Sequence, residues 1–385
     1  MTIDGWTAPG FERVRAKFAQ NFEEDLEVGA AFAAYHRGEL VVDLWGGIAD
    51  RTTERPWERD TIALVFSTTK GAAAVAANHL AETGALDVDA PVAEHWPEFA
   101  AEGKGTIPVS SLLSHQAGLA WVDEPVTLEQ ALEWEPMVDA LARQAPSWEP
   151  GTAHGYHAVT YGYLVGEVVR RVAGRSIGTY FDREIARPLD LDFWIGLPAV
   201  QEPRVAPLTG RMVSEGSGAT SGGALAGVAG PDSMLARALT AGGAFAGRGI
   251  FNTPEVRAAE IPAAGGVGDA RSLARMYAAC VGEVDGVRLL GPEQMTDARR
   301  QRTFGPDVVL LDLDLQWGLG FIVPSTLVQL GGPRSFGHFG MGGSLGWVDP
   351  DAELAFGYVM NRMALGMVGD KRSYRLVKSC YDSVA

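Results

Sequence analysis

A serine and a lysine stand three residues apart in the segment Ser67-x-x-Lys70, between an apolar run (62–66) and an alanine-rich run (71–82). The alanine-rich run predicts a helix, with Ser67 at its first turn and Lys70 on the same face, within reach of the serine hydroxyl. The N–H groups at a helix N-terminus could stabilise an oxyanion, and a buried lysine can act as a base near neutral pH. The pair is therefore suited to nucleophilic attack on a carbonyl group.

The same segment also fits a structural interpretation, in which Ser67 caps the helix and Lys70 is a solvated charge. Two observations favour catalysis. The chain has only five lysines, and Ser67 is the only serine that stands three residues before one of them. The helix also has almost no polar face, so a lysine within it is expected to be buried.

Two further segments carry groups suited to such a site. Tyr156 lies between the turn Pro150-Gly151 and an apolar, helix-like run (161–172), so its phenol could project into a cleft, although a buried structural tyrosine fits the pattern too. The segment 336–346 is dense in glycine, which lets a ligand or another backbone approach a strand edge closely. Its exposed N–H groups could complete an oxyanion hole, and a glycine-rich strand turn without a ligand is the alternative.

The elements that must position these residues follow from the apolar pattern. The runs 29–35 and 39–45 flank a turn-like break and predict an antiparallel hairpin. Further strands are predicted late in the chain, at 309–314, 318–323, 335–339, 344–349 and 353–360. Helices are predicted at 10–21, 71–82, 110–113, 128–144, 161–173, 176–185 and 374–383.

Strands at both chain ends and helices in the middle predict an α+β fold. We expect an antiparallel sheet built from both chain ends and flanked by helices, plus a mostly helical domain. The sheet domain would comprise residues 1–75 and 266–385 and the helical domain residues 76–265, with the active site at their interface. Residues 214–248 are dominated by Gly, Ala and Ser and predict loops or a weakly periodic helix, and the elements of 214–264 stay unassigned.

Net charge, apolar runs and cysteine content limit the classes of partner and the location that are expected. A net charge of −16 argues against nucleic acid and anionic membranes, because polyanions would be repelled over most of the surface. No run approaches the roughly 20 apolar residues that a membrane helix needs, and the N-terminus lacks a secretory pattern, so a cytoplasmic protein is expected. Two cysteines, Cys280 and Cys380, are too few for a disulfide framework and are expected to be reduced and buried.

Other possible sites are weaker. Gly342-x-Ser344-x-Gly346 matches the nucleophile elbow G-x-S-x-G, but no histidine follows it, so Ser344 is expected to be structural. His154 and His157 are three apart without a third ligand nearby, so no metal or cofactor is predicted. A satisfied core histidine is the favoured interpretation of His115.

Three short motifs occur in a specific order and spacing, Ser67-x-x-Lys70, Tyr156-x-Ala158 and His338-x-Gly340. They resemble the motifs S-x-x-K, Y-x-N and K-T-G of the serine penicillin-recognising superfamily, which comprises class C β-lactamases, DD-peptidases and family VIII carboxylesterases. The segments 112–119, 149–152 and 269–277 also resemble that superfamily, and the likeness covers roughly residues 25–380.

The resemblance implies a β-lactamase/DD-peptidase-like fold and a role for each motif. Ser67 would form an acyl-enzyme, and Lys70 and Tyr156 would act as general base and acid. The N–H groups of Ser67 and Met341 would hold the oxyanion. His338, Phe339 and Gly340 would line the substrate-binding strand.

Two departures bear on the substrate. Ala158 replaces the amide of the second motif, and His338, mostly neutral at pH 7, replaces the cation of the third. Both changes weaken the case for β-lactams and cell-wall peptides, so the chain looks most like a family VIII carboxylesterase acting on small esters of short to medium acyl chains. Trp121, Trp134, Trp317 and Phe339 are candidates for an acyl pocket by residue type alone.

Other activities stay open. A weak β-lactamase, a D-amino-acid amidase or peptidase, and an acyltransferase would share the same acyl-enzyme. A catalytically silent relative that binds acyl ligands is favoured least, and the oligomeric state is left unassigned.

Overall fold

A computed structural model of the chain describes residues 2–210, 230, 232–364 and 369–384. Part of the Gly-, Ala- and Ser-rich segment, residues 214–229 and 231, lies outside the described residues. The rest of that segment contains a helix, Met234–Thr240.

The strands in chain order are β1 Ile3–Thr7, β2 Gly29–His36, β3 Glu39–Asp50, β4 Arg55–Pro56, β5 Ala63–Leu64, β6 Phe193–Ile195, β7 Gly266–Gly268, β8 Gln316–Trp317, β9 Ile322–Val323, β10 Phe336–Phe339, β11 Leu345–Asp349 and β12 Leu354–Met360. The helices are α1 Glu12–Glu23, α2 Thr69–Glu82, α3 Val92–His95, α4 Val109–Leu113, α5 Leu128–Leu132, α6 Glu135–Arg143, α7 Thr160–Ala173, α8 Ile177–Phe181, α9 Met234–Thr240, α10 Pro254–Ala258, α11 Ala270–Val281, α12 Pro292–Ala298 and α13 Lys371–Val384.

The large sheet is antiparallel and combines both chain ends. Its strand order is β1-β3-β2-β12-β11-β10-β9-β8, and β4 pairs with β3. The two ends of the chain meet where β2 pairs with β12, with Phe32 opposite Tyr358. This arrangement confirms the predicted α+β fold class.

Helices cover both faces of the sheet, as alternate residues of β12 indicate. Gly357 faces α11, and a Cβ atom there would lie 2.0 Å from the carbonyl oxygen of Ala270. Its neighbour Phe356 points to the opposite face, where its ring lies 5.9 Å from that of Tyr381 in α13. Helix α1 packs against α13 on this second face.

Helix α2 is buried on almost every side, with all its residues from Thr69 to Asn78 inside the protein. It packs against α7, α8 and β10, and its alanine side chains allow these neighbours to come close. The strand before it, β5, is held in a small antiparallel sheet of order β5-β7-β6. Both ends of the Ser67 turn are therefore anchored.

Three predicted elements differ in the structure. Of the predicted strand 318–323, only Ile322–Val323 is a strand (β9), and residues 318–321 form bends. Residues 309–314 form turns instead of a strand, because Leu311 and Asp312 adopt left-handed backbone angles (φ 55° and 61°). The predicted helix 128–144 is divided into α5 and α6 at Trp134, which also has a positive φ of 74°.

The lengths of the helices and the burial of the two cysteines bear on two further sequence-based expectations. Within the described ranges, every helix is too short or too polar to cross a lipid bilayer. Cys280 and Cys380 are buried and free, as predicted.

Candidate active site

Ser67 lies in a tight turn between β5 and α2. The turn is a 3-10 segment, Phe66–Thr68, and Phe66 has a positive φ of 45°, which is unusual for a bulky residue. The Phe66 ring is buried and packs edge-on against Phe251, with ring centroids 5.0 Å apart. Such backbone strain persists only where the surrounding structure enforces it, and it is concentrated at functional sites.

Lys70 is fully buried, one helical turn after Ser67. Its Nζ lies 3.3 Å from the Ser67 hydroxyl and hydrogen-bonds the carbonyl oxygens of Ala158 (2.6 Å) and Ala263 (2.9 Å). No carboxylate within the described part of the chain pairs with it. Burial without a counter-ion therefore lowers the pKa of Lys70 well below its usual range.

Ala158 departs from the superfamily motif in its side chain, yet its backbone still holds Lys70 through the carbonyl oxygen. The replaced amide side chain is therefore not needed to anchor the lysine.

The Tyr156 phenol is buried beside the same two groups. Its hydroxyl approaches Ser67 closely enough to affect its pKa, and Lys70 Nζ lies 4.7 Å from the centre of its ring. The ring stacks on Trp317, with centroids 5.6 Å apart and planes 9° from parallel. Burial raises the pKa of Tyr156 above its usual range, so the phenol is protonated at neutral pH.

Buried histidines hold the chain segment around Tyr156. The Nε2 atom of His157 accepts a hydrogen bond from the Leu119 N–H (2.9 Å), and its Nδ1–H donates to the Gly155 carbonyl (2.6 Å). His115 Nδ1 accepts from the His157 N–H (3.1 Å). Burial lowers the pKa of His157 to about 4, so this framework is neutral at pH 7.

His154 completes that framework, with Nε2 hydrogen-bonded to the Leu315 carbonyl (3.1 Å). The described ranges contain no group of three or more side chains suited to hold a metal ion. The core interpretation of His115 is correct in placing it inside, although its Nε2 atom has no partner there.

His338 lies in β10, which borders the same pocket. Its Nδ1–H donates to the Phe339 carbonyl (2.7 Å), so its Nε2 atom carries the lone pair. Burial and the charge of Lys70 lower the pKa of His338 to about 3. A neutral imidazole therefore stands where the superfamily motif has a lysine.

The loop after β10 packs directly on the Ser67 turn. The buried Ser344 hydroxyl donates to the Val65 carbonyl (2.7 Å) and lies 2.9 Å from the Thr68 hydroxyl. Ser344 is thus engaged in a structural contact between the two segments. The Met341 N–H, two residues after β10, has no hydrogen-bond partner in the described part of the chain.

Gly340 permits this close packing, because a Cβ atom there would lie 2.2 Å from the Val65 carbonyl oxygen and 2.3 Å from the Ser344 hydroxyl. We expect Gly340→Ala to lower the free energy of unfolding by about 1–3 kcal/mol, and to reduce activity because the loop is pushed away from Ser67. Urea unfolding and an ester assay would measure both effects. Gly105→Ala is the matched control, since its nearest contact is 3.6 Å away; an equal loss in the control would refute the packing argument.

The pocket beside Ser67 brings together all the residues that the sequence analysis assigned to the site except Lys70, which lies beneath it. Trp317 and Phe339 line it, whereas Trp121 and Trp134 lie elsewhere. Five apolar residues that were not predicted from the sequence also line the pocket: Leu235, Leu239, Leu310, Leu315 and Ile322. They come from α9, β9 and the turns before β8, and no motif marks them.

The sequence is matched by relatives over nearly its whole length. The family model for beta-lactamases covers residues 18–379. The Esterase/beta-lactamase LipL of Mycobacterium tuberculosis (strain ATCC 25618 / H37Rv) is 38% identical over 373 residues, which are 95% of this chain and 84% of LipL.

Solved structures of two related proteins superpose on the whole chain. A family VIII carboxylesterase superposes with a TM-score of 0.89 at 38% identity, covering 100% of both chains. A penicillin-binding protein homologue from Caulobacter crescentus superposes with a TM-score of 0.88 at 37% identity, again over 100% of both chains.

The chain therefore belongs to the beta-lactamase family. Within that family it is a serine hydrolase of the carboxylesterase type, as the resemblance in its motifs indicated.

Proposed function

We propose that this protein hydrolyses small carboxylic esters with short to medium acyl chains through an acyl-enzyme on Ser67. The observation that carries the proposal is the environment of Lys70, a buried amine without a counter-ion, 3.3 Å from the Ser67 hydroxyl. A lysine in that setting is ready to accept a proton at neutral pH.

Lys70 is the general base in the proposed first step. As a neutral amine it has two N–H bonds, which match the carbonyl oxygens of Ala158 and Ala263, and one lone pair, which faces the Ser67 O–H. When the Ser67 oxygen attacks the ester carbonyl, its proton passes to Lys70. The new cation then has three acceptors, since the Ser67 oxygen remains beside it.

Tyr156 is the general acid in the second step. Its phenol is protonated and lines the pocket beside Ser67, where the alcohol oxygen of the ester must leave. As the carbon–oxygen bond breaks, the phenol proton moves to the leaving alkoxide, and Lys70 returns a proton to the tyrosine oxygen. Water later attacks the acyl-enzyme and transfers a proton to the same pair. As the bond between the acyl carbon and the Ser67 oxygen breaks, the pair returns that proton to the serine oxygen, which releases the acid and restores the starting state.

Two backbone N–H groups are proposed to hold the oxyanion, those of Ser67 and Met341. The free N–H of Met341 and the position of Ser67 at the start of α2 support this assignment. Both groups are fixed before substrate binds, because Ser344 and Gly340 lock the two segments together.

The pocket supports an ester with an apolar acyl group. Its wall is mostly leucine with Trp317 and Phe339. The neutral His338 offers no cation for a substrate carboxylate, and Ala158 offers no side-chain amide for a peptide or lactam. The side chains at these two positions therefore disfavour binding of anionic β-lactams and of peptides that end in D-Ala.

We retain the proposed division into a sheet domain (1–75 and 266–385) and a mostly helical domain (76–265). The pocket is lined from both sides of that division, by Leu235 of α9 and by residues of β8–β10. The cytoplasmic location stays a prediction.

The direct test is hydrolysis of p-nitrophenyl acetate, butyrate and octanoate beside nitrocefin. The proposal predicts turnover of the short and medium esters and slow or absent cleavage of nitrocefin. Weak β-lactamase activity is the second candidate, favoured by the double description of the mycobacterial relative LipL. Nitrocefin turnover faster than ester turnover would replace the first candidate by the second.

Tyr156→Phe is expected to lower kcat for an alkyl ester such as ethyl butyrate by about 10²–10³-fold with a small change in KM, because the ring keeps its place against Trp317 while the proton donor is lost. The loss should be smaller for p-nitrophenyl butyrate, because p-nitrophenolate leaves without protonation. Tyr163→Phe is the matched control, since that buried hydroxyl donates to the Ala131 carbonyl (2.9 Å) away from the pocket. A Tyr156→Phe enzyme with normal kcat would exclude the tyrosine as acid.

A further inference from the structure

A buried carboxylate, Asp307, connects the segment of Tyr156 to the wall of the pocket. It is fully inside the protein, and among the described residues it has no ion-pair partner. Its Oδ1 atom accepts three backbone hydrogen bonds, from the N–H groups of Tyr156 (3.1 Å), Val309 (2.9 Å) and Leu310 (2.8 Å). The first bond joins parts of the chain that are 151 residues apart.

Two of these bonds shape the turn that carries the pocket wall. Asp307 holds Val309 and Leu310 in the manner of an Asx turn, and Leu310 lines the pocket next to Leu315. A second link to Tyr156 comes from the neighbouring Val308, whose N–H donates to the His154 carbonyl (3.0 Å). The wall and the tyrosine segment are thus joined at two points.

The Trp317 indole N–H approaches the Asp307 carboxylate and favours its charged form. The Oδ2 atom of Asp307 and the Trp317 Nε1 atom have no regular hydrogen-bond partner among the described residues. Trp317 is the residue on which the Tyr156 ring stacks. Both the backbone and the ring of Tyr156 are therefore held by groups that contact Asp307.

A carboxylate without a counter-ion is expensive to bury, which argues against an incidental position. An asparagine or serine could make an Asx-type turn at lower cost. The anion is better matched to its surroundings, because three N–H donors face one oxygen and the indole N–H also approaches the carboxylate.

We propose that Asp307 is a positioning residue that holds Tyr156 and the apolar wall of the pocket as one unit, so that the proton donor stays aligned with a bound acyl chain. This inference rests on the proposed roles of Ser67 and Tyr156. Asp307 itself does not line the pocket and acts through Tyr156, Leu310 and Trp317.

Steady-state kinetics of Asp307→Ala and Asp307→Asn with ethyl butyrate, whose alcohol needs a proton to leave, would test it. The alanine variant removes all three bonds to Oδ1, so kcat is expected to fall about 10–100-fold with a rise in KM. The asparagine variant keeps an acceptor oxygen for the three N–H groups but sets an amide N–H against the Trp317 N–H. It should therefore keep kcat within about fivefold of wild type and raise KM about three- to tenfold. A merely structural role would not change KM while leaving kcat nearly constant.

Asp349 provides the matched control, because it is a buried aspartate that accepts from the Gly332 N–H (2.7 Å) and the Tyr381 hydroxyl (2.7 Å), away from the pocket. Asp349→Ala and Asp349→Asn should lower the unfolding midpoint without changing kcat or KM. Folded Asp307→Ala with wild-type kcat and KM would overturn the proposal. If Asp307→Ala does not fold, the asparagine variant decides, and an unchanged KM would overturn it.

The two proposals fail in different ways. A wild-type enzyme without esterase activity would remove the proposed function, whereas an active wild type with indifferent Asp307 variants removes only the positioning role.

Discussion

Ser67→Ala is expected to lower kcat/KM for p-nitrophenyl butyrate by at least about 10⁴-fold, to the level that binding and the oxyanion groups alone provide. The reason is structural, since within the described residues Ser67 is the only pocket-lining side chain with a nucleophilic oxygen that Lys70 contacts. The substituted side chain leaves Lys70 and Tyr156 in place, so the loss should fall on kcat. Binding of a non-hydrolysed ester analogue should be little affected.

The matched control is Ser344→Ala, which removes the serine of the G-x-S-x-G sequence. Because Ser344 is fully buried and hydrogen-bonded to Val65, we expect lower stability and an activity within about tenfold of wild type. Mass spectrometry after treatment with a serine-reactive fluorophosphonate should place the adduct on the peptide that contains Ser67. Activity surviving in Ser67→Ala, or an adduct on Ser344, would transfer the nucleophile to Ser344.

The parts of the site that could be predicted from sequence are those that depend on local spacing. Ser67 and Lys70 meet because they are three apart where the 3-10 turn Phe66–Thr68 continues into α2, and the alanine-rich neighbours indicated burial of the lysine. Tyr156 could be found only through its place in the order of motifs, since its partners Trp317 and Asp307 are more than 150 residues away.

The apolar wall could not be predicted for a different reason. Leu235, Leu310 and Ile322 are ordinary hydrophobic residues from separate elements, and nothing in residue type distinguishes a pocket leucine from a core leucine. The run 309–314 alternates apolar and acidic residues and so resembles a strand, but left-handed backbone angles at Leu311 and Asp312 turn it into the pocket wall.

Asp307 illustrates a further limit, because its burial depends on the tertiary fold. In the sequence it is one of three neighbouring aspartates, with Asp312 and Asp314, and it stands just before the predicted strand 309–314, where nothing marks it as buried. In the structure it is fully buried, while Asp312 is exposed. Burial without an oppositely charged partner among the described residues, which is a property of the fold, is the signal shared by Asp307 and Lys70.

Lys70→Met is expected to lower kcat by about 10³–10⁴-fold, because methionine fills the same buried space but cannot accept the Ser67 proton. Lys104→Met is the matched control. Lys104 is also fully buried, donates to the Ala101 carbonyl (2.9 Å) and has a pKa lowered by burial, yet it lies outside the pocket. Normal kcat in Lys70→Met, or an equal loss in Lys104→Met, would remove the lysine from the mechanism.

The pH dependence identifies the base independently. Lys70 is active when neutral, and burial lowers its pKa, so kcat/KM should rise with pH through that lowered pKa and fall as the solution is made more acidic. His338, with a pKa lowered to about 3, and His157, with one lowered to about 4, stay neutral from pH 5 to 8 and cannot produce this limb.

Asp307 is the group that could be confused with Lys70 in such a profile, because burial raises its pKa to about 6. The charges and titratable groups around Asp307 are Tyr156, His154 and Asp314, and it has no ion-pair partner among the described residues. An acid limb that persists in Asp307→Asn and disappears from the residual activity of Lys70→Met belongs to the lysine. If the acid limb disappears in Asp307→Asn instead, the titrating group is the Asp307 carboxylate. The protonation state of Lys70 would then be constant over the pH range of that limb.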